Sequence, residues 1–518
     1  MIFWSVAVLL IFFSGYYLRA YLSLHTYLPY SPYEAFAPQY TPKILSQGPV
    51  KDFSDKAMRY PTTILLQRLI NPIFGDLYLI YIAGAIVVFF LGKEITGKNI
   101  GGFLSFSLFA LSSENLLQYT RTIGTSGLCY MFMWLSFLFL IRYIKNPKNL
   151  NLSLFIIFSL LALTSYHTGA SALILILIGI LVSLAYSKAI DKKIAFSICG
   201  LILFHIAWIA VFDVSQLSLL AKAVAGTGII KIFYLILAAL ALTVFLYLAK
   251  DKKILESGYF PLVALILSAV LIFSEFPFFD FLLNLGANNY YVSTISLNNY
   301  LAQAILTHVY LLALLPFLIK KQLDKEQVFL RGWLIGLVLV FIALASLGYY
   351  PRIFDYSFPL MFVLFGLYWS KKKKFRIFII AATIILLIAS QLVIYNDPFT
   401  MRRYYIQEEV QSAEDIISLN LNGGVASDLR TSALFSYLGR KDVKFADSGE
   451  KLHDIIFYEY QYLPDLKIDY VILSESMKTV VYSTNFPTKP IDNSVFDYYK
   501  LNYKEVYNDK LMHVYKIK

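Results

Sequence analysis

The chain has 518 residues, of which 58% are hydrophobic, 17% aromatic and only 15% charged, and its mean hydropathy is +0.63. Soluble proteins carry roughly a quarter charged residues, so this composition excludes an ordinary soluble fold for most of the chain. The formal charge of +12 would suit nucleic acid. Yet the cations stand in short clusters between apolar runs, as in KNPK at 145–148, KDKK at 250–253 and KKKK at 371–374, which is the pattern of the positive-inside rule and argues against a nucleic-acid partner.

The opening run, Ile2 to Leu18, lacks a basic leader and a small-residue cleavage site, so it is expected to stay as a signal-anchor helix. Residues 30–66 follow, too polar and too rich in proline to cross a bilayer. They hold Glu34 in an aromatic, proline-flanked setting, then Asp52, Asp55, Arg59 and the Tyr60-Pro61 pair. From there to about Tyr395, runs of ~17–22 apolar residues recur, each long enough for a membrane helix. The expected spans lie near 2–18, 76–93, 100–114, 124–143, 151–166, 169–187, 193–212, 229–249, 259–275, 300–319, 329–347, 352–370 and 375–395, about thirteen in all. Residues 213–228 carry a weak amphipathic pattern suited to the interface. Residues 276–299 are rich in Phe, Tyr and Asn, fitting either sugar contacts or an aromatic belt.

With the N-terminus inside, the inner loops take Lys93 and Lys98, Arg142, Lys145 and Lys148, Lys188 to Lys193, Lys250 to Lys253, Lys320 to Arg331, and Lys371 to Arg376. The short outer loops keep chiefly Arg121, Lys222 and Arg352. This asymmetry predicts a multi-pass protein of the cell (plasma) membrane with a cytoplasmic N-terminus and an extracytoplasmic C-terminal domain. The domain boundary falls near Asn396, giving a transmembrane domain over 1–396, with its first outer loop at about 20–75, and a small α/β domain over 397–518. In that tail, 408–419 and 431–439 read as helices, and 423–428, 468–474 and 512–517 as strands. GGVASD at 423–428 lacks the glycine spacing of a nucleotide fingerprint.

Among residues suited to chemistry, Glu34 is the leading candidate. A carboxylate at a membrane surface can act as general base on an acceptor hydroxyl or amine, or stand merely solvated. Asp52 and Asp55 are flanked by Lys51 and Lys56 and suit acceptor or metal support, or solvent. Arg121 and Arg352 stand in outer loops where cations are scarce, and their forked guanidinium suits phosphate, or lipid headgroups. His167 sits at the outer turn between the fifth and sixth spans, whereas His205 and His308 lie within spans and suit packing or hydrogen bonding. Cys129 and Cys199 both lie in apolar runs and read as small buried hydrophobes.

In this order the pieces resemble the GT-C superfamily of polytopic glycosyltransferases. Tyr33-Glu34 looks like the family's acidic motif in the first outer loop, and Arg59-Tyr60-Pro61 sits where relatives have a His/Lys-Pro-Pro segment. Residues 90–145 are similar to the block shared by protein O-mannosyltransferases and aminoarabinose transferases, and 161–173 to the histidine-bearing turn that follows. The resemblance covers 1–190 well, 330–370 loosely and the rest by topology. Glu34 stands without a paired acid, Thr62 replaces the second proline, and the tail has no WWDYG motif. The resemblance implies a polyprenyl-phosphate-linked sugar donor, an extracytoplasmic acceptor (protein, lipid or glycan) and transfer with inversion. Glu34 would then be the catalytic base, and Arg121, Arg352, Arg59 and His167 the donor-phosphate ligands. No cofactor is expected, and a divalent metal is left open. The alternatives are a non-catalytic envelope scaffold and, less in keeping with spans nearly free of central charges, a transporter.

Overall fold

The structure is a computed structural model that describes residues 9–16, 79–112, 125–212, 259–274, 294–314, 320, 323–346, 353–371, 376–396, 405–438, 443–445, 455–457, 460, 462, 468–479, 481–483, 486–488 and 490–517. They divide into two compact units. One holds the helices up to Gln391; the other holds the residues from Leu392 on, with Ser274 and 294–299.

The first unit is helical. Its elements are α1 (residues 9–16), α2 (Leu79–Thr96), α3 (Asn99–Leu111), α4 (Thr125–Lys145), α5 (Asn149–Leu163), α6 (His167–Tyr186), α7 (Lys192–Phe212), α8 (Tyr259–Ile272), α9 (Thr294–His308, in this unit from Tyr300 on and continued as a 3-10 turn over Val309–Leu314), α10 (Lys325–Ser346), α11 (Ile353–Lys371) and α12 (Arg376–Asn396, in this unit as far as Gln391). Among the described residues, four stretches are long and apolar enough to cross a membrane: Gly127–Lys145, Thr168–Tyr186, Lys192–Ala210 and Lys325–Leu344. Shorter apolar helices, including Asn99–Leu111 and Ile377–Val393, accompany them. The expected span near 229–249 lies outside the described residues.

Large apolar side chains point outward along these helices, among them Phe196, Leu203, Ile266, Phe273, Ile377 and Ile385. Water would oppose such a surface, whereas lipid tails match it, so the helices are those of a membrane protein. Cys199 belongs to this outward face and is exposed, which corrects the expectation that both cysteines are buried; Cys129 is. Helix contact inside the unit depends on small residues. A Cβ on Gly332 would stand 2.4 Å from Ile180 Cα, and one on Gly336 2.3 Å from Ile176 Cα. The Gly332-x-x-x-Gly336 spacing therefore lets α10 meet the backbone of α6, as small-residue seams do in membranes.

The second unit has α13 (Gln407–Ser418), β1 (Val425–Ser427), α14 (Leu429–Tyr437), β2 (Val443–Phe445), β3 (Tyr470–Ser474), β4 (Val481–Ser483), β5 (Phe486–Thr488), α15 (Asn493–Asn502), β6 (Lys504–Asn508) and β7 (Met512–Lys516). A five-stranded sheet runs in the order β2-β1-β3-β7-β6, and β4 pairs β5 apart from it. β1 is parallel to β2 and β3, and β7 is antiparallel to β3 and β6. One hydrophobic cluster gathers Val471, Leu473, Phe496 and Tyr499; another gathers Val410, Ile416, Leu434 and Ile472. β3 contributes alternate residues to each, as the two-residue period of a strand requires.

Between α13 and α14 lies a buried ion pair. Glu409 accepts from both terminal nitrogens of Arg430, at 2.6 and 3.0 Å, and each side chain is 1% exposed. Ser476 Oγ takes another Arg430 bond, the guanidinium lies 4.6 Å from the Tyr405 ring centre, and Tyr405 donates to the Arg430 carbonyl. Burial disfavours the charged guanidinium, but the Glu409 carboxylate outweighs it and holds the Arg430 pKa above its ordinary value.

Candidate functional site

Glu34, Asp52, Asp55, Arg59, Arg121 and Arg352 lie outside the described residues. His167 opens α6 as its first residue, so the turn expected over His167-Thr168-Gly169 falls earlier, at 164–166. The helix ends that lead to these residues are described, and contacts between them define one end of the helical unit.

α1 runs toward residue 17, where the stretch carrying Glu34 follows. Its last turn packs at the start of α2 and the end of α3. A Cβ on Gly15 would fall 2.6 Å from Tyr81 Oη and clash with the Ala110 carbonyl, and Tyr81 donates to the Phe12 carbonyl at 3.0 Å. α3 leads at Ser112 into the segment that holds Arg121, and α4 receives the chain after it. There Cys129 Sγ faces the Ala162 carbonyl at 3.4 Å, and a Cβ on Gly169 would come within 2.5 Å of that sulfur. The start of α4, the end of α5 and the start of α6 thus meet around one thiol. α11 begins immediately after Arg352. In its second turn Tyr356 packs edge-on against Tyr130 of α4, with ring centres 5.5 Å apart. Finally, Gln391 near the end of α12 donates to the Leu111 carbonyl at 2.5 Å.

This end holds buried polar groups. His308 Nδ1 lies 3.0 Å from the Ala304 carbonyl, a contact only a donor can make, so that nitrogen carries the proton. Nε2 is then the acceptor, and Ser357 Oγ donates to it at 2.6 Å. Gln303 donates to Ser390 Oγ at 2.8 Å, tying α9 to α12. Most buried polar groups in proteins are bonded, and in an apolar helical unit such bonds fix helix register.

The opposite end holds several described cations among those assigned to the inner loops. Arg142 of α4 pairs with Glu94 of α2 at 2.9 Å, and Lys145 pairs with Glu326 of α10 at 3.0 Å. Tyr143 donates to Asp191 at 3.1 Å, and the Lys193 amide caps onto the same carboxylate at 2.7 Å. Arg331 departs from the expectation of a loop cation. It is 2% exposed and bonds Ser183 Oγ, the Ser183 and Lys320 carbonyls and Ser187 Oγ, with the Tyr186 ring 4.9 Å away. Sequence spacing hid this, because Arg331 stands only a few residues into α10 and its cage comes from α6. Ser357 and Gln391 were likewise not singled out, since an isolated polar residue in an apolar run has no pattern to mark it.

Among the described residues, no group of three or more His, Cys, Asp or Glu side chains is placed to hold a metal ion. Asp52 and Asp55, the carboxylates considered for metal support, lie outside those residues.

No protein-family model matches the chain, and no curated protein matches it by sequence. Among solved structures it is similar to the archaeal oligosaccharyltransferase AglB from Archaeoglobus fulgidus in complex with an inhibitory peptide and a dolichol-phosphate. That match has 13% identity and a TM-score of 0.46, covering 91% of this chain and 69% of the other. It is also similar to the Archaeoglobus fulgidus oligosaccharyltransferase in complex with Zn and sulfate (11% identity, TM-score 0.40, 90% and 68% coverage) and in the apo form (11%, 0.48, 91% and 70%). At such identities and scores no residue role passes from those proteins to this chain.

Proposed function

We propose that this chain is a membrane glycosyltransferase that moves a sugar from a polyprenyl-phosphate donor to an extracytoplasmic acceptor. The observation that carries the reading is the meeting of helix ends. The end of α1, the end of α3 with the start of α4, the start of α6 and the start of α11 lead to Glu34, Arg121, His167 and Arg352 respectively, and they gather at one end of the helical unit. The Arg142–Glu94 and Lys145–Glu326 pairs lie at the other. Two ends of such different chemistry suit a reaction held at one membrane surface and an anchor at the other.

In this reading the donor enters from lipid, with its prenyl tail along the apolar helices. Arg121 and Arg352, with Arg59 and His167, hold the phosphate and stabilise its charge as it departs from the anomeric carbon. Glu34 takes the proton of the acceptor hydroxyl or amine as that atom attacks from the opposite face, so the configuration inverts. The phosphate leaves on the polyprenyl chain, and Glu34 returns its proton to water.

The test is transfer by the purified chain in liposomes, offered polyprenyl-phosphate sugars. Glu34→Gln keeps the shape and removes the base, and removal of a general base typically costs about 10²–10⁴-fold. Full transfer by Glu34→Gln would remove Glu34 from the mechanism. No transfer by the wild type with any lipid-linked sugar would favour the scaffold.

A further inference from the structure

The last turn of α15 and the start of β6, KLNYK at 500–504, form the part of the second unit that water suits least. Leu501 is 83% exposed, more than any other large apolar side chain among the described residues. Ile377 and Phe196, which come next, lie on the apolar helices of the first unit. One isolated leucine would mean little, but this one adjoins a row of aromatic rings. Tyr498 stands three residues before Leu501 on α15, hence on the same helix face. Its ring stacks on Tyr460 with centres 4.0 Å apart and meets Tyr503 at 6.2 Å. All three rings are half-buried, and buried Tyr499 touches each of them. Lysines rim the patch. Lys500 and Lys504 bracket Leu501, Lys504 lies directly opposite Lys516 in the β6–β7 ladder, and all three are exposed. Like charges so opposed repel, and among the described residues none of the three forms an ion pair. Glu505, next to Lys504, is bonded by His513 and Asn508; Asp497, exposed one turn before Lys500, offsets one lysine of the three.

We propose that this patch docks the second unit on a membrane surface, with Lys500, Lys504 and Lys516 at the headgroups of anionic phospholipid and Leu501 among the first acyl carbons. Lysine, tyrosine and an exposed leucine side by side match the layers of a bilayer interface: ammonium at the phosphates, phenol between, alkyl beneath. The lysines select an anionic surface, and the leucine a lipid one. The chain keeps the unit close to the bilayer, because residues 397–406 join the apolar helix α12 to α13 and span at most about 35 Å. The inference is independent of the proposed transfer reaction and of which face of the membrane the second unit occupies.

The experiment is electron paramagnetic resonance of the full chain in nanodiscs of phosphatidylcholine mixed with phosphatidylglycerol. A nitroxide is placed on Asn502→Cys in a Cys199→Ser background, Cys129 being buried. Asn502 is exposed beside Leu501, so the label reports on the patch with its leucine and lysines in place. The label should be relaxed more by oxygen, which partitions into lipid, than by a water-soluble nickel complex. A label on Gln411→Cys, exposed on α13 across the sheet from α15, should show the reverse. Each lysine near an anionic surface is worth about fivefold in the docked-to-free ratio, so Lys500→Gln with Lys504→Gln should lower that ratio roughly 25-fold and return the Asn502 label to water. Leu501→Ser should return it to water with every charge in place and the core untouched. A label at Asn502 that meets nickel freely in these nanodiscs overturns the proposal. So does one shielded from both reagents, which would mean a protein partner, one whose lipid contact survives either set of substitutions, or equal lipid contact at Gln411.

Discussion

Replacing Glu409 by Ala should destabilise the second unit by about 3–5 kcal/mol, the usual loss when one partner of a buried ion pair is removed. The structure accounts for the size. Both side chains are 1% exposed, so water cannot reach the guanidinium that remains. Two charge-assisted bonds at 2.6 and 3.0 Å are lost, and with them the carboxylate that contributes most to holding the cation, leaving Ser476, the Tyr405 ring and the field of Asp428 around it. The Ile406 amide also loses Glu409 as its acceptor at 3.2 Å, opening the start of α13. Hydrogen exchange on the full chain in detergent reads the effect locally. Amides of β3, central in the sheet, should exchange roughly a hundred- to several-thousand-fold faster. The double replacement of Glu409 by Leu and Arg430 by Met should recover most of that protection, because an apolar pair of similar volume has no charge to desolvate. A change below about 1 kcal/mol in Glu409→Ala would refute the reasoning, since it would put the pair in the range of solvated surface bridges.

Acid should loosen the β6–β7 hairpin. Burial raises the Asp509 pKa, but bonds from Ser412, the Met512 and Leu511 amides and Tyr507 outweigh it and hold the carboxyl below its ordinary value. A depressed carboxylate adds stability above its unfolded value of about 3.9 and loses it as pH falls through the folded value. Exchange of β7 amides should therefore rise as pH drops below about 4 in the wild type, with a smaller change in Asp509→Asn. In the helical unit, Gly336→Val should force α10 off α6, because its Cβ would meet Ile176 backbone rather than a side chain that can turn aside. Overpacking of this kind costs about 1–3 kcal/mol or more and should appear as a lower melting temperature in detergent. Gly200→Val, whose Cβ meets nothing within 4 Å, should leave it unchanged.

Helix positions were legible because apolar length is a strong signal. The predicted runs 124–143 and 193–212 became Thr125–Lys145 and Lys192–Phe212. In the tail, 468–474 and 512–517 gave β3 and β7, whose buried residues stand out against polar flanks. β2, β6 and α15 escaped notice, since KEVYN and NSVFDYYKLN mix exposed charge with aromatics that only the sheet packs. Arg331 shows the limit most clearly. Its sequence neighbours read as a basic loop, while the bonds that bury it come from Ser183 and Ser187, more than a hundred residues earlier. The candidate carboxylate and arginines were visible only as rare polar residues near span ends, and nothing in linear sequence relates Glu34 to Arg352.

The decisive measurement is therefore the separation of the Glu34 carboxylate from the Arg121 and Arg352 guanidinium groups, in an experimental structure with polyprenyl phosphate bound. The account predicts that they converge within about 10–12 Å of one another around a groove open to lipid, which leaves room for a phosphosugar between base and clamp. Glu34 turned to bulk water, with the arginines on separate lipid headgroups, would contradict it.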